Sequence, residues 1–74
     1  MQVAVELFSY FREGRFKQSS IELPREATVA DLLMQLQINR SDVGIIVING
    51  IPGTSGTLLQ SGDRVTLIPF IGGG

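Results

Sequence analysis

The chain has 74 residues, of which 43% are hydrophobic, and its six basic and seven acidic side chains give a net charge of −1. A chain of this length forms one domain and buries only about 60% of its unfolded surface, so we expect a thin margin of stability. The absence of cysteine and histidine excludes disulfides, thiol chemistry, most zinc sites and every catalytic triad built on histidine. The basic residues are dispersed, and no apolar run reaches the roughly 20 residues of a membrane span. We therefore expect a cytoplasmic protein that binds neither nucleic acid nor membrane.

Two strands are predicted at the start of the chain. Apolar residues alternate with others over residues 3–7, and this period of two indicates a half-buried strand. After a turn at Gly14, a second strand is predicted over residues 17–23. Pro24 ends this strand, because proline has no N–H to donate to a neighbouring strand.

The next segment is predicted to be a helix. Thr28 and Asp31 have the spacing of a capping box, in which each side chain bonds the other residue's backbone near the positive end of the helix. Apolar residues then recur at helical spacing, namely Val29, Leu32, Leu33 and Leu36. We expect the helix to end within residues 37–39, where Asn39 tolerates the left-handed conformation of a helix cap.

The second half of the chain is predicted to return to strands. Residues 45–48 are an unbroken β-branched run, which is typical of a strand buried on both faces. An Asn-Gly pair at positions 49–50 follows directly and predicts a hairpin. Residues 51–59, rich in Gly, Thr and Ser, predict a short return strand and a loop, after which a turn leads into a last strand at residues 64–68.

The element order is therefore strand, strand, helix, strand, strand. A helix with a single apolar stripe covers only one face of a sheet, which predicts a two-layer α+β domain. The pattern alone leaves the order of the strands in the sheet open.

The sequence offers no active site of an enzyme. The acidic residues Asp31, Asp42 and Asp63 lie in capping or turn contexts, which makes them poor candidates for a metal site or an acid–base pair. The glycine-rich loop at residues 50–56 has no lysine and no helix after it, so it does not match a phosphate-binding loop. The basic residues at positions 12, 15 and 17 are interpreted as a solvated loop.

The sequence ends in three glycines, Gly72, Gly73 and Gly74. Glycine loses more conformational freedom on ordering than any other residue, so we expect residues 72–74 to be a flexible tail outside a domain formed by residues 1–71. Three extended residues span about 10 Å without any Cβ, enough to thread a narrow channel in another protein. The alternative is a disordered end or a remnant of cloning.

The residues before the tail are candidates for binding a partner. If Val65 and Leu67 face the core, the alternation puts Ile68 and Phe70 on the opposite face, as an exposed apolar patch beside the tail. The alternative is that Pro69 or a bulge shifts the phase and buries both side chains. The candidate partner-binding residues are Arg64, Ile68, Pro69, Phe70 and Ile71.

These residues also carry a resemblance to a known family. The run from residue 63 to residue 74, with its strand, its apolar-Pro-apolar-apolar element and its terminal glycines, resembles the ending of the MoaD/ThiS family of ubiquitin-like sulfur carriers. Residues 8–13 (FSYFRE) are similar to the first-strand ending of the molybdopterin synthase small subunit, and residues 47–50 (VING) to the thiamine-pathway carriers. Two departures are a third terminal glycine and Phe70, which stands where the molybdopterin carriers often have a second proline.

The resemblance implies a β-grasp fold, a mixed sheet of four or five strands with the last strand beside the first and one main helix on one face. It also implies a sulfur carrier without catalytic groups or bound cofactors of its own. The carboxylate of Gly74 would be adenylated by a ubiquitin-activating-type enzyme, which uses ATP, and then converted to a thiocarboxylate by a sulfur donor. The acceptor would be molybdopterin synthase, through its large subunit, or thiazole synthase.

Two other functions remain open on the sequence. A ubiquitin-like protein modifier would join the same activated glycine to lysines of target proteins. A plain interaction module would make no use of the carboxylate.

Overall fold

Five strands form one mixed sheet in the computed structural model, which describes residues 1–71. The elements are β1 (Gln2–Leu7), β2 (Gln18–Glu22), α1 (Val29–Leu36), β3 (Val43–Ile48), β4 (Ile51–Pro52) and β5 (Arg64–Pro69), with short 3₁₀ helices at Ser9–Arg12 and Arg40–Asp42. The strand order is β2-β1-β5-β3-β4, in which β1 and β5 are parallel and the other neighbours antiparallel. The last strand therefore lies beside the first, which confirms the β-grasp arrangement.

The core lies between one face of the sheet and α1. Its apolar side chains come from every second residue of β1 and β5, from one side of α1 and from the connecting loops. The buried members are Val3, Val5, Leu7, Phe11, Leu23, Ala27, Val29, Leu32, Leu33, Ile38, Ile48, Leu59, Val65 and Leu67. Among residues 1–71, no helix has the length and apolar character needed to cross a bilayer.

The two ends of α1 differ in how well the sequence predicts them. The capping box is confirmed, because the Asp31 N–H donates to the Thr28 hydroxyl at 3.3 Å and the Thr28 N–H donates to the Asp31 carboxylate at 2.8 Å. At the other end the expected cap is wrong: the left-handed residue is Gln37, with φ 58°, whereas Asn39 has an extended backbone. Arg15 holds this end, since its guanidinium donates to the carbonyls of Leu36 and Gln37 at 3.0 Å each.

The turn between β3 and β4 follows the prediction. Asn49 and Gly50 both have positive φ, 53° and 81°, as a two-residue type I′ hairpin requires. The Asn49 side chain then ties the turn to the start of β5, because its Nδ2 donates to Asp63 at 2.9 Å and its Oδ1 accepts from the Arg64 N–H at 2.9 Å.

The expectation that β3 is buried on both faces is wrong. Ile48 is buried on the side of the helix, but Ile45 is 51% exposed and Val47 is half-buried. The reason is that α1 covers one face of the sheet only, so a β-branched run that looks uniformly apolar in sequence has one side without cover. We call this uncovered side of the sheet the open face.

Candidate functional site

Buried and more exposed residues alternate along β5 as far as Phe70. Val65 and Leu67 are fully buried, Ile68 is half-buried, and Phe70 is 64% exposed. The predicted phase is thus confirmed, and the alternative of a shift at Pro69 is wrong. Ile71, at 78% exposure, continues the exposed apolar segment.

The other two candidate residues of β5 lie apart from this segment. Pro69 is buried, and the alternation puts its ring on the side of the core. Arg64 is exposed on the open face at the opposite end of the strand, six residues from Phe70, which corresponds to about 20 Å at a rise of roughly 3.3 Å per residue. Of the five candidates, the structure therefore leaves Ile68, Phe70 and Ile71 partly or largely exposed at the end of β5, buries Pro69 and places Arg64 at the far end of the strand.

The open face of β3 extends the apolar surface. Ile45 lies opposite Ile68, and Val47 lies opposite Thr66, in the antiparallel ladder between β3 and β5. Directly opposed apolar side chains on neighbouring strands are in contact range. We call Ile45, Val47, Ile68 and Phe70 the apolar band. Sequence analysis did not identify Ile45 and Val47 as site residues. The available signal was that a single helix leaves one face of the sheet uncovered.

Phe8, directly after the end of β1, also lies beside β5. The Phe8 N–H donates to the Leu67 carbonyl at 3.2 Å, so Phe8 continues β1 along β5. The Arg12 guanidinium lies 5.2 Å from the centroid of the Phe8 ring, and its Nε donates to the Leu7 carbonyl at 2.6 Å. Arg12 is thus fixed by two contacts, not solvated in a loop as the sequence suggested.

The apolar band offers hydrocarbon side chains and no ionisable group. Within residues 1–71, no three acidic side chains come together in a way that could hold a metal ion. Two members of the apolar band, Ile68 and Phe70, lie in or directly after β5, the strand that leads to Gly72, Gly73 and Gly74. These three glycines are the residues predicted to react, and they lie outside the described residues. An exposed apolar patch of this kind usually marks a binding site for another protein.

Comparison with known proteins gives a family. The model of the ThiS family matches residues 5–74, which is nearly the whole chain. A search of curated proteins finds no match to this sequence.

Solved structures similar to this chain share its fold along its length. A Pyrococcus furiosus protein that carries the name molybdopterin converting factor, subunit 1, has 27% sequence identity over 96% of this chain and 99% of that chain, with a TM-score of 0.78. A chain from the complex of subunits 1 and 2 of the molybdopterin-converting factor of Helicobacter pylori 26695 has 25% identity over the full length of both chains and a TM-score of 0.67. SAMP1 from Haloferax volcanii, at 21% identity over both full lengths and a TM-score of 0.75, is similar in fold.

Proposed function

The chain belongs to the ThiS family, and from this premise we propose that it is a sulfur carrier whose Gly74 carboxylate is activated by a partner enzyme and converted to a thiocarboxylate. The observation that carries the proposal is the apolar band, because it exposes Ile68 and Phe70 on the strand that leads into the glycine tail. A partner that covers this band receives the tail at the same time.

The first chemical step is adenylation. The α-carboxylate of Gly74 is an anion at neutral pH, since its reference pKa is about 3.3 to 3.7, and an anionic carboxylate is a poor acylating agent. Its oxygen attacks the α-phosphorus of ATP in the partner's site, and pyrophosphate leaves. The product is an acyl-adenylate, in which AMP is a good leaving group.

The second step introduces sulfur. If the donor is hydrosulfide, its sulfur attacks the carbonyl carbon of Gly74, the C–O bond to AMP breaks and a thiocarboxylate results. If the donor is a protein persulfide, the same attack gives an acyl disulfide, and a thiol must then cleave the S–S bond to release the thiocarboxylate. This chain contributes the reacting carboxylate, and the partner contributes ATP and the catalytic groups.

The partners follow from this chemistry. One is an adenylating enzyme of the ubiquitin-activating type, another is the sulfur donor, and a third accepts the sulfur. The similarity to a chain from the Helicobacter pylori complex supports docking to a larger second subunit of the molybdopterin synthase type. A thiazole synthase is the other acceptor that fits, and in either pathway we expect the protein to act in the cytoplasm as a co-substrate.

The modifier function uses the same activated glycine. In that case the ε-amine of a target lysine attacks the acyl group and expels AMP, which leaves an isopeptide bond. The similarity to SAMP1 is at the level of fold. We therefore treat conjugation as a second outcome of the test below.

Mass spectrometry of the intact protein tests the proposal. After incubation with the adenylating enzyme, Mg-ATP and a sulfur donor, the chain is expected to gain the mass of one oxygen replaced by sulfur, located on Gly74. Gly74→Val is expected to lose this gain, because a β-branched side chain crowds the carbonyl and obstructs a narrow channel. The matched control is Gly56→Val, since a Cβ on Gly56 would have only Thr54 Oγ1, at 3.9 Å, within 4 Å.

The outcomes separate the candidate functions. Sulfur located elsewhere than on Gly74, or a normal gain in Gly74→Val, refutes the sulfur-carrier proposal. Lysines of other proteins that carry the C-terminal peptide of this chain, without sulfur on Gly74, identify a modifier; after trypsin this peptide is residues 65–74, because Arg64 is the last basic residue. A chain that neither gains sulfur nor forms conjugates is an interaction module.

A further inference from the structure

Strand β3 leaves its register with β5 at Gly44. Val43 pairs with Pro69 and Ile45 pairs with Ile68, so Gly44 is an extra residue with no partner, as in a β-bulge. Its φ lies outside the left-handed region, which means that the backbone conformation alone does not require glycine.

Space is what requires glycine at this position. A Cβ on Gly44 would lie 2.9 Å from the Phe70 Cα, 3.1 Å from the Phe70 nitrogen and 3.2 Å from the Pro69 carbonyl oxygen. These neighbours are all backbone atoms, so a rotamer change cannot relieve the contact. Because ordinary contact begins at 3.4 Å, a Cβ would have to move the Phe70 Cα by about half an ångström or more.

A hydrogen bond holds Phe70 in the space that Gly44 leaves. The Phe70 N–H donates to the Asp42 carbonyl at 2.6 Å, just after Pro69, which has no N–H. In the described part of the chain, this is the last backbone hydrogen bond before the tail. The bulge and the hydrogen bond thus fix the backbone at Phe70, four residues before Gly74.

We propose that Gly44 is a positioning residue for the reaction at Gly74: it admits the Phe70 backbone to the Asp42 carbonyl and so fixes the root of the tail. The inference rests on the proposed function. From this root to Gly74 the chain reaches about 13 to 14 Å when extended, at roughly 3.3 to 3.6 Å per residue. Over so short a length of chain, the position of the Gly74 carboxylate depends on the position of Phe70. A misplacement of a reacting group by about 1 Å can lower the rate roughly 100-fold.

Gly44→Ala tests the proposal against Gly56→Ala, which adds the same methyl group where Thr54 Oγ1, at 3.9 Å, is the sole neighbour within 4 Å. The assay is ATP–pyrophosphate exchange by the adenylating enzyme, with the carrier as the varied substrate. We expect kcat to fall about tenfold or more in Gly44→Ala while KM for the carrier changes less than about threefold, because docking survives and alignment does not. Gly56→Ala should match the wild type in both constants.

Hydrogen exchange of the Phe70 amide distinguishes a local change from a general loss of stability, because a general loss would accelerate exchange at other amides as well. In Gly44→Ala we expect this amide to exchange at least about tenfold faster, with the Val65 and Leu67 amides unchanged. Unchanged kcat and unchanged Phe70 exchange overturn the proposal. Equal acceleration of all three amides also overturns it, since that is the signature of global destabilisation.

A second pair of variants serves if Gly44→Ala does not fold. Phe70→Ala and Phe70→Pro both remove the ring, but only the proline removes the N–H that bonds to Asp42. We expect Phe70→Pro to have a kcat at least about fivefold below that of Phe70→Ala, and equal values refute the positioning role. If the wild-type protein supports no ATP–pyrophosphate exchange, the proposed function itself fails. If the wild type is normal and Gly44→Ala is unaffected, only the present inference is refuted.

Discussion

In β3 and β5, large apolar side chains occur on both faces of the sheet, but only those on the face toward α1 are fully covered. Leu67 and Ile68 are neighbours in β5 and both are large and apolar, yet Leu67 is fully buried under α1 while Ile68 lies half-buried on the open face. In β3 the same contrast separates Ile48, which is buried, from Ile45, which is 51% exposed. The covered face is packed against α1, whereas the open face carries the apolar band beside polar residues such as Arg64 and Thr66 and has no layer over it.

We propose that the two faces of this small sheet serve different purposes, folding on one side and binding on the other. Burial of apolar surface contributes roughly 25 cal/mol per Å², so the covered face supplies the free energy of folding. The open face supplies less to folding, because its side chains stay partly in water, and the remaining apolar surface becomes available to a partner that covers it. The residues that stabilise the fold therefore alternate, along the same strands, with those proposed to bind a partner.

The largest expected effect is on the covered face. Leu67→Ala should lower the free energy of unfolding by about 2 to 5 kcal/mol, because it leaves a cavity in a fully packed site. That is a large share of the roughly 5 to 15 kcal/mol of an ordinary domain. Ile68→Ala, its neighbour on the open face, should cost much less in urea unfolding. Equal losses for the two variants would break the distinction between the faces.

A smaller effect, on binding, is expected from Phe70→Ala. The ring is 64% exposed, so its removal should change the free energy of unfolding by less than about 1 kcal/mol. Affinity for the adenylating enzyme should fall by about tenfold or more if the ring is a central contact, as aromatic residues often are. Calorimetric titration measures the affinity. A variant that unfolds as Leu67→Ala does would show that Phe70 belongs to the core.

A substitution at the C-terminal end of α1 should stabilise the fold without altering the open face. Gln37 has φ 58°, where glycine is preferred, so Gln37→Gly should raise the free energy of unfolding by about 0.5 to 1 kcal/mol. Asn39→Gly is the control, and it should destabilise slightly because Asn39 is extended. Thermal unfolding of both variants checks the assignment. A stabilising Asn39→Gly with a neutral Gln37→Gly would return the cap to Asn39.

The smallest effect concerns pH at the far edge of the sheet. The hydrogen bond from the Met1 ammonium, at 2.9 Å, lowers the pKa of the Glu22 carboxyl below its ordinary 4.5, with a further hydrogen bond from Gln2 and the positive charge of the ammonium adding to the effect. A lowered pKa in the folded state means that this stabilisation is present above pH 4.5 and is lost as the pH falls through the folded-state pKa. Glu22→Gln should thus show a slightly lower Tm than the wild type at neutral pH and none of that difference in acid. A Tm difference that grows in acid would contradict the sign of the shift.

Sequence reasoning recovered the elements whose signals are local. The capping box at Thr28, the turn at Asn49 and the alternation of β5 each depend on residues within a few positions of one another, and each is confirmed. The cap at Gln37 was missed because glutamine has no preference for the left-handed conformation. Long-range hydrogen bonds from Arg15 hold that end of the helix, and such contacts leave no trace in a local pattern.

The site was predicted in part for the same reason. Ile68 and Phe70 follow from the period of a single strand, whereas Ile45 joins them only through the register between β3 and β5. The close approach of Gly44 to Phe70 and the hydrogen bond to the Asp42 carbonyl are harder still to predict from sequence, because a close approach of two backbones depends on a bulge in the ladder. The strand order itself came from the family resemblance, not from the pattern.

The most direct test of the account is to map the partner's footprint on the two faces. We would titrate the isotopically labelled carrier with the adenylating enzyme and follow the backbone amide resonances by NMR. We expect the largest shifts or line broadening at Ile45, Val47, Ile68 and Phe70, with the amides of α1 nearly unchanged. A footprint on α1 that leaves β5 undisturbed would contradict the assignment of binding to the open face.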